Sequence, residues 1–581
     1  MAINRRDLLR GGGAAAGALS AGDGAEAAPP VRRGWAREAD VVVVGAGACG
    51  VVAALAARQA GASVIVLEAE AHAGGHGIVS GGNVPLGGGT SVQKRYGIED
   101  SPDLVFRDLT DWTVAEPNGA ADYRYNDREI IRAFADHSAA TFEFLLAHGV
   151  VFADKAPDNA GGISVGASVP REMHAVPLDY PLVQTGKPAP PEQRRTLSTG
   201  NGLMHPLIAS ARKAGVPILL EHRMTGLHRR PGGRVVGVSV SHRGSPLEIR
   251  ARKAVILATG GSTGNVEFRR MFDPRLTEEY CGLAGMPWSD QDASGEIAAM
   301  AVGASLWGAA NYAAEFGWLA TKPGKIGCRY GYVFNTWEPG SEVFDKAGAM
   351  GLRVADWQDV ILVNMLGERF YDETEGQHTG NNPGSLKTYV QGSWRNAADV
   401  AYRAQNFINA AMGGVGDGRN GGGPIWAIFD ADAVAREHWT TAPPFVDLNG
   451  FFFQADSLAG LAGEIRMTHQ RAPMPPENLE RTVARYNRFV ETGVDSDFGK
   501  PKPAYPILKP PFFAAWATPV LHDSRAGLRI NSRCEVMDMR GAVIPGLYSG
   551  GETAGGFSQH GLARATCQGF IAGREAAAQQ G

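Results

Sequence analysis

The chain lacks paired cysteines. Cys49, Cys281, Cys328, Cys534 and Cys567 stand apart from one another, which excludes C-x-x-C zinc modules and a C-x-x-C-H haem attachment. Five scattered cysteines in 581 residues do not make a disulfide framework either, since that is the device of much smaller chains. An excess of one charge is also missing. With 56 basic and 60 acidic residues the formal net charge is −4, so there is neither a basic footprint for nucleic acid nor a polybasic membrane patch. No apolar run reaches the roughly 18 residues needed to cross a bilayer, which predicts a soluble protein. What the chain has in excess is glycine, 77 residues, much of it in short clusters after apolar runs, where backbone turns tightly or approaches a ligand. The length suggests roughly two to four domains.

The N-terminus reads as a targeting segment. Arg5-Arg6 followed by Leu8-Leu9, a weakly apolar Gly/Ala stretch and Ala25-Glu26-Ala27 together resemble a Tat export signal, whose core is less apolar than a Sec signal. This predicts a periplasmic or otherwise exported protein. The alternative is a cytoplasmic protein with a disordered Arg/Ala-rich tail. Residues 1–35 are therefore set aside from the fold.

Asp40 to Val44 is a continuous β-branched run, as in a strand buried on both faces of a parallel sheet. It runs into Gly45-Ala46-Gly47-Ala48-Cys49-Gly50, a G-x-G-x-x-G turn. A small-residue helix follows from Val51 to Ala60, then a second strand, Ser63 to Leu67, that ends in Glu68. Gly45 makes the turn, Gly47 lets amides reach a pyrophosphate, Gly50 lets helix pack on strand, and Glu68 takes ribose hydroxyls. Two distant segments favour FAD over NAD. Lys253 to Gly261 is a strand ending in Ala-Thr-Gly-Gly, and Gly546 to Glu552 is a strand ending in Ser-Gly-Gly-Glu. The glycines Gly413 to Gly423 follow a helix-like segment and read as a loop. No second complete nucleotide motif is present, so electrons come from or leave to an external partner.

With these fingerprints the chain resembles the fumarate reductase/succinate dehydrogenase flavoprotein superfamily, which includes the 3-ketosteroid Δ1-dehydrogenases. Gly74-Gly75, four residues and then Ser80-Gly81-Gly82 resemble the flavin-facing loop, with the ketosteroid-dehydrogenase gap. Ala293 to Glu296 with Gly303-Ala304, Ile361 to Phe370, and Thr482 to Phe489 resemble successive parts of the family's cap. The resemblance implies an α/β fold, a Rossmann-like FAD-binding domain with an inserted α+β cap (substrate) domain. The expected boundaries are 36–286 for the first part of the FAD-binding domain, with an excursion at 117–197 that contains a helix around Arg128 to Gly149. The cap is expected at 287–509 and the returning part of the FAD-binding domain at 510–581. The implied FAD contacts are Gly45, Gly47, Ala48, Cys49, Gly50, Glu68, Ala69, Gly75, His76, Ser80, Gly81, Gly82, Met224, Thr259, Gly260, Gly261, Glu552, Ala565 and Thr566. His76 lies one residue short of the spacing used for covalent attachment, so FAD is expected to be non-covalent.

Departures from the family bear on the substrate. Gln377 stands where the resemblance puts a proton-donating arginine, and Glu315 and Asp523 stand where it puts histidines. A dicarboxylate in a dry site needs fixed cations, so fumarate and succinate fit poorly. The loop reads His560-Gly561-Leu562, without the tyrosine of the ketosteroid enzymes. Trp307, Tyr312, Phe316 and Trp318, with Tyr330, Tyr332 and Trp337, suit a bulky apolar or aromatic ring, although cap core accounts for such residues as well. The candidate catalytic groups are Tyr312, Glu315, Asp523, His560 and Arg564; no metal ligands are expected. The expected activity is FAD-dependent oxidoreduction of a C–C bond conjugated to a carbonyl. The alternatives are an exported reductase of an unsaturated carboxylic acid and a flavin-containing assembly protein without turnover.

Overall fold

Four β-branched or glycine-ended runs share one sheet, and their register decides where a ligand can sit. The computed structural model describes residues 34–110, 126–158, 168–176, 178, 200–271, 278–279, 281–282, 289–307, 352, 354–374, 423–443, 445–518, 520–521, 524, 526–557 and 561–580. The chain divides into Met1–Gly34 and a compact unit Trp35–Gly581. In that unit the strand Arg37–Val44 pairs in parallel with Val64–Leu67 on one side and Ser245–Leu257 on the other. Val543–Ser549 adds in parallel beyond Ser245–Leu257. Val44 lies opposite both Leu67 and Leu257, and Leu257 opposite Ser549. All four strands therefore end on one edge, the edge where open α/β sheets bind ligands. The strands His222–Arg229 and Val235–His242 extend the sheet as an antiparallel meander.

Two helices cover this sheet and touch each other backbone to backbone. They are Ala48–Gln59, early in the chain, and Leu562–Ala578, at its end. A Cβ at Gly569 would sit 2.3 Å from the carbonyl oxygen of Cys49, and one at Gly573 would sit 2.2 Å from that of Ala53. The helix Arg128–Ala147 falls where the sequence places one inside the 117–197 excursion. It packs on the final helix through Phe144 against Phe570 and on the preceding loop through Phe134 against Phe557.

A second sheet is built from Ile361–Val363, Trp426–Phe429, Phe512–Trp516 and Phe452–Ala455, all antiparallel. Its side chains alternate between two cores. Leu362, Ala427, Phe429, Phe513 and Ala515 face one, while Ile361, Val363, Trp426, Ile428, Ala514 and Trp516 face the other. Helix Pro476–Thr492 closes the second core with Leu479, Val483, Tyr486 and Val490, which fall on one helical stripe. Phe512–Trp516, a strand of this sheet, lies just beyond the expected cap range 287–509.

A buried ion network ties this unit together. Arg369 pairs with Glu373 at 2.8 Å and with Asp495 at 2.7 Å, and Lys500 lies 3.3 Å from Glu373. Burial pushes the Glu373 carboxyl up, but the Arg369 and Lys500 charges win and hold it down to about 2. Glu373→Gln leaves the Lys500 cation buried beside a neutral amide, and the expected loss in urea unfolding is about 3–5 kcal/mol. Since the folded carboxyl is depressed, its contribution is complete above its ordinary pKa. It is lost as pH falls toward about 2, so the gap between wild type and variant should close in acid.

Candidate active site

The turns that leave the four strand ends meet without side chains between them. Gly45 adopts φ +102°, and a Cβ there would fall 2.2 Å from the carbonyl oxygen of Ala258, so only glycine fits. A Cβ at Gly50 would fall 1.9 Å from the carbonyl oxygen of Gly45. Helix Ala48–Gln59 consequently starts hard against the sheet edge, with Gly47 as a cap residue that offers no side-chain bond and with no acid in its first turn. The final helix starts the same way at Gly561. Two long helix N-termini without a side-chain cap suit a ligand carrying negative charge.

A groove of about 1450 Å³, its solvent-filled mouth included, spans this edge. The expected cofactor residues line it, Met224 and Ala69 among them, except Gly50, Gly261 and Thr566. Those three belong to the wall behind. Gly50 is the packing contact just described, and the Gly261 amide donates to Gln291 Oε1 at 2.6 Å. The Thr566 hydroxyl donates back to the carbonyl of Leu562 at 2.7 Å.

Glu68 sits at one end of the groove, 6% exposed. Its Oε2 accepts the Ala46 amide at 2.8 Å and its Oε1 the Glu70 amide at 2.9 Å. Burial nevertheless pushes its carboxyl up to about 7. From the opposite fingerprint, Glu552 places Oε2 3.6 Å from His76 Nδ1, and Gln291 Nε2 lies 3.3 Å from the same nitrogen. The acid at the second strand, the two open helix ends and the bare Gly47 and Gly75 backbone fit FAD. Glu68 would hold the adenosine ribose, the Gly47 turn the pyrophosphate, and Glu552 with Ala565 the other half.

Ribose hydroxyls donate to an ionised carboxylate, so binding lowers the Glu68 pKa and releases a proton. FAD affinity should therefore rise with pH up to about 7 and level off above it. Each unit by which binding lowers the pKa is worth about 1.4 kcal/mol. Glu68→Ala should weaken FAD by about 1–3 kcal/mol and flatten this profile in a fluorescence titration. A slope that survives in the variant would assign the titration elsewhere.

Arg564 is the one expected catalytic group among the described residues. It is 2% exposed. Its guanidinium donates to the carbonyls of Phe557 at 2.9 Å and of Gly551 and Ala554, both at 2.6 Å. A side chain in the first turn of the final helix has folded back onto the loop that precedes it. Tyr312, Glu315, Asp523 and His560 lie outside the described residues, as do Gln377 and every aromatic of that cluster except Trp307. Trp307 packs against Gly556 and takes the Arg529 guanidinium 4.6 Å from its ring centroid, a packing role.

The sequence reading missed a full wall of the groove: Glu70, His222, Arg223 and the run Ser289 to Asp292, with Asn83, Pro85 and Glu172 on the far side. The only available signal was Arg223 standing next to Met224. It also missed Glu296, fully buried, with neither carboxyl oxygen hydrogen-bonded among the described residues. Burial, then the charges of Asp292 and Glu552, raise that acid well above the carboxylate range. Asp158, Glu172 and His174 bring possible metal-ligand atoms within 4.8 Å of one another, but His174 Nε2 is already 2.9 Å from Asp158 Oδ2. Cys49 lines the groove, yet burial pushes its thiol up to about 12, which removes it as a nucleophile. Among the described residues no helix is long and apolar enough to cross a membrane.

Comparison with known proteins agrees with this geometry. Residues 40–566 match the family model of an FAD binding domain. The chain is 27% identical to the 3-oxosteroid 1-dehydrogenase of Mycolicibacterium smegmatis, over 89% of this chain and 92% of that one. It is 26% identical to the acrylate reductase flavoprotein subunit of Shewanella woodyi, over 97% and 94% of the two chains. The urocanate reductase of Eggerthella lenta is likewise 26% identical, over 91% and 72%. The fold is shared with the open conformation of a flavocytochrome c3 fumarate reductase, at a TM-score of 0.61 and 22% identity, covering 94% of this chain and 79% of that one. It is shared equally with the 3-ketosteroid delta1-dehydrogenase from Sterolibacterium denitrificans, at a TM-score of 0.61 and 21% identity, over 93% and 100%. The chain belongs to the FAD-binding family, within the fumarate reductase/succinate dehydrogenase flavoprotein superfamily, and is an FAD-dependent oxidoreductase.

Proposed function

We propose that this flavoprotein acts on a carbon–carbon bond conjugated to a carbonyl, on a bulky apolar or aromatic ring substrate. The observation that carries this reading is the engagement of Arg564. Its guanidinium is committed to three backbone carbonyls, which argues against its use as the anion anchor that an unsaturated carboxylate would need. Gln377, Glu315 and Asp523 at family cation positions weigh the same way. The similarity to a 3-oxosteroid dehydrogenase supports a neutral ring substrate, while the similarity to acrylate and urocanate reductases keeps the carboxylate as the second reading.

FAD, held non-covalently, supplies the hydride acceptor or donor. The chain supplies the proton chemistry. In the dehydrogenating direction a base takes the acidic proton α to the carbonyl as hydride leaves the neighbouring carbon and the C=C bond forms. Tyr312 or Glu315 from the inserted unit, or Asp523, serves as that base. His560 donates to the carbonyl oxygen as charge develops there; it is joined directly to Gly561, which lines the groove. Electrons pass to or from an external partner. The Arg5-Arg6 segment supports export through the Tat route.

An anaerobic panel of cyclic enones, saturated cyclic ketones and enoates tests the substrate class. Bleaching of the flavin by a saturated ketone, or reoxidation of reduced enzyme by an enone, is expected. Turnover confined to enoates sinks the ring-ketone reading, and no turnover at all favours an assembly protein. His560→Ala should keep its flavin and lose about 10²-fold in turnover.

A further inference from the structure

The run Ser289 to Ser294 crosses one wall of the groove just before the chain enters helix Ser294–Ala301. It holds a conformation that L residues rarely adopt: Gln291 has φ +52° and Ala293 φ +60°. Such backbone persists where its surroundings over-determine it, and here they do. The Gln291 side chain receives the Gly261 amide at 2.6 Å and reaches His76 at 3.3 Å. The Ala293 amide donates to the Gly261 carbonyl, and the Gly264 amide donates to the carbonyl of Gln291. Arg223 fixes the remaining side, with Nη2 2.8 Å from Glu70 Oε1 and 2.7 Å from Asp290 Oδ2, and Nη1 2.7 Å from Asp292 Oδ2.

One guanidinium thus holds three carboxylates from two separate segments, and all four residues line the groove. Glu70 stands two residues beyond Glu68, at the adenosine end. Burial, then the nearby Asp290 charge, raises the Glu70 carboxyl above its ordinary range, as expected where carboxylates crowd. Without the cation the three acids repel, and the strained strap loses one of its anchors.

We propose that Arg223 is a latch that holds the strap Ser289–Ser294 over the adenosine half of bound FAD and thereby sets how slowly the cofactor leaves. The residue positions the groove wall and takes no part in the chemistry. Arg223 is 40% exposed at its side chain, so the latch is open to screening by salt.

The inference rests on FAD being non-covalent, which acid precipitation of the holoenzyme checks first. Flavin in the supernatant is expected, and flavin pelleting with the protein overturns both. FAD release from holoenzyme is then followed as the rise of free-flavin fluorescence after dilution. Arg223→Gln should release FAD at least ten times faster than wild type, and adding Asp290→Asn and Asp292→Asn should slow it again by relieving the repulsion. Arg252→Gln is the control, because that cation serves a similar cluster, Glu38 and Asp40, in the half of strand Arg37–Val44 that lies away from the groove. Its release rate should match wild type. If Arg223→Gln does not fold, wild-type release should still accelerate several-fold between low salt and 1 M salt. A wild-type rate in Arg223→Gln, an equal acceleration in Arg252→Gln, or a flat salt profile overturns the latch.

Discussion

Gly50→Val protein should be isolated colourless. A Cβ at residue 50 meets the carbonyl oxygen of Gly45 at 1.9 Å, its carbonyl carbon at 3.0 Å and the Ala258 side chain at 3.3 Å. The first two are backbone atoms of the very turn that carries Gly47 to the groove, so no side-chain rotation relieves the clash. Either the helix moves away from the sheet or the turn is pushed open, and both misplace the amides that face the groove. Overpacking against fixed backbone costs about 1–3 kcal/mol or more, enough to remove flavin from most of the purified protein. The ratio of flavin to protein absorbance reads it directly. Gly226→Ala is the matched control, since nothing lies within 4 Å of its added Cβ. A yellow Gly50→Val protein with full flavin content would mean that the turn is not the cofactor's seat.

The second large effect concerns Arg564. Its removal leaves the carbonyls of Gly551, Ala554 and Phe557 without their charged donor, in a place where water does not reach. Each buried carbonyl left without a donor costs about 1–3 kcal/mol. The damage is not confined to stability, because the pinned loop includes Glu552, which lines the groove. Arg564→Ala should therefore lower the unfolding midpoint and loosen FAD together. Arg564→Lys should recover little, since an ammonium cannot reproduce the fork. A substrate-binding arginine would behave otherwise: FAD and stability would be untouched and KM would rise. Thermal unfolding, flavin content and KM measured on one preparation separate the two.

The parts of the site that were readable in sequence are those made locally. Strand, glycine turn, helix, strand and acid follow one another from Asp40 to Glu68, and each residue's task is set by near neighbours. Gly260 and Glu552 were readable for the same reason, each ending its own strand. Arg223 and Asp290 were not, because nothing in either segment says that an antiparallel strand and the run Ser289–Ser294 will meet over a groove. The partners of Arg564 were not readable for a related reason. A polar residue in an apolar neighbourhood needs a partner, but nothing local says that backbone carbonyls a few residues back will supply it. The pairing of Phe512 to Trp516 with Trp426 to Phe429 was not readable either. Five consecutive apolar residues declare a doubly buried strand, and such a strand carries no mark of which sheet it will join.

The contact between the first helix and the last also sets a schedule for the cell. Cys49 and Gly569, which meet across this contact, lie 520 residues apart in the chain. At about 5–20 residues per second the ribosome takes on the order of half a minute to two minutes to cover that distance. Throughout that interval the strand Arg37–Val44 and its glycine turn exist without the helix that completes their cover. A nascent chain can form the first nucleotide-binding unit early, but it cannot close the groove until helix Leu562–Ala578 has been made. Chains that stop short of the final helix are consequently cofactor-poor, with a bare apolar helix face offered to chaperones and proteases.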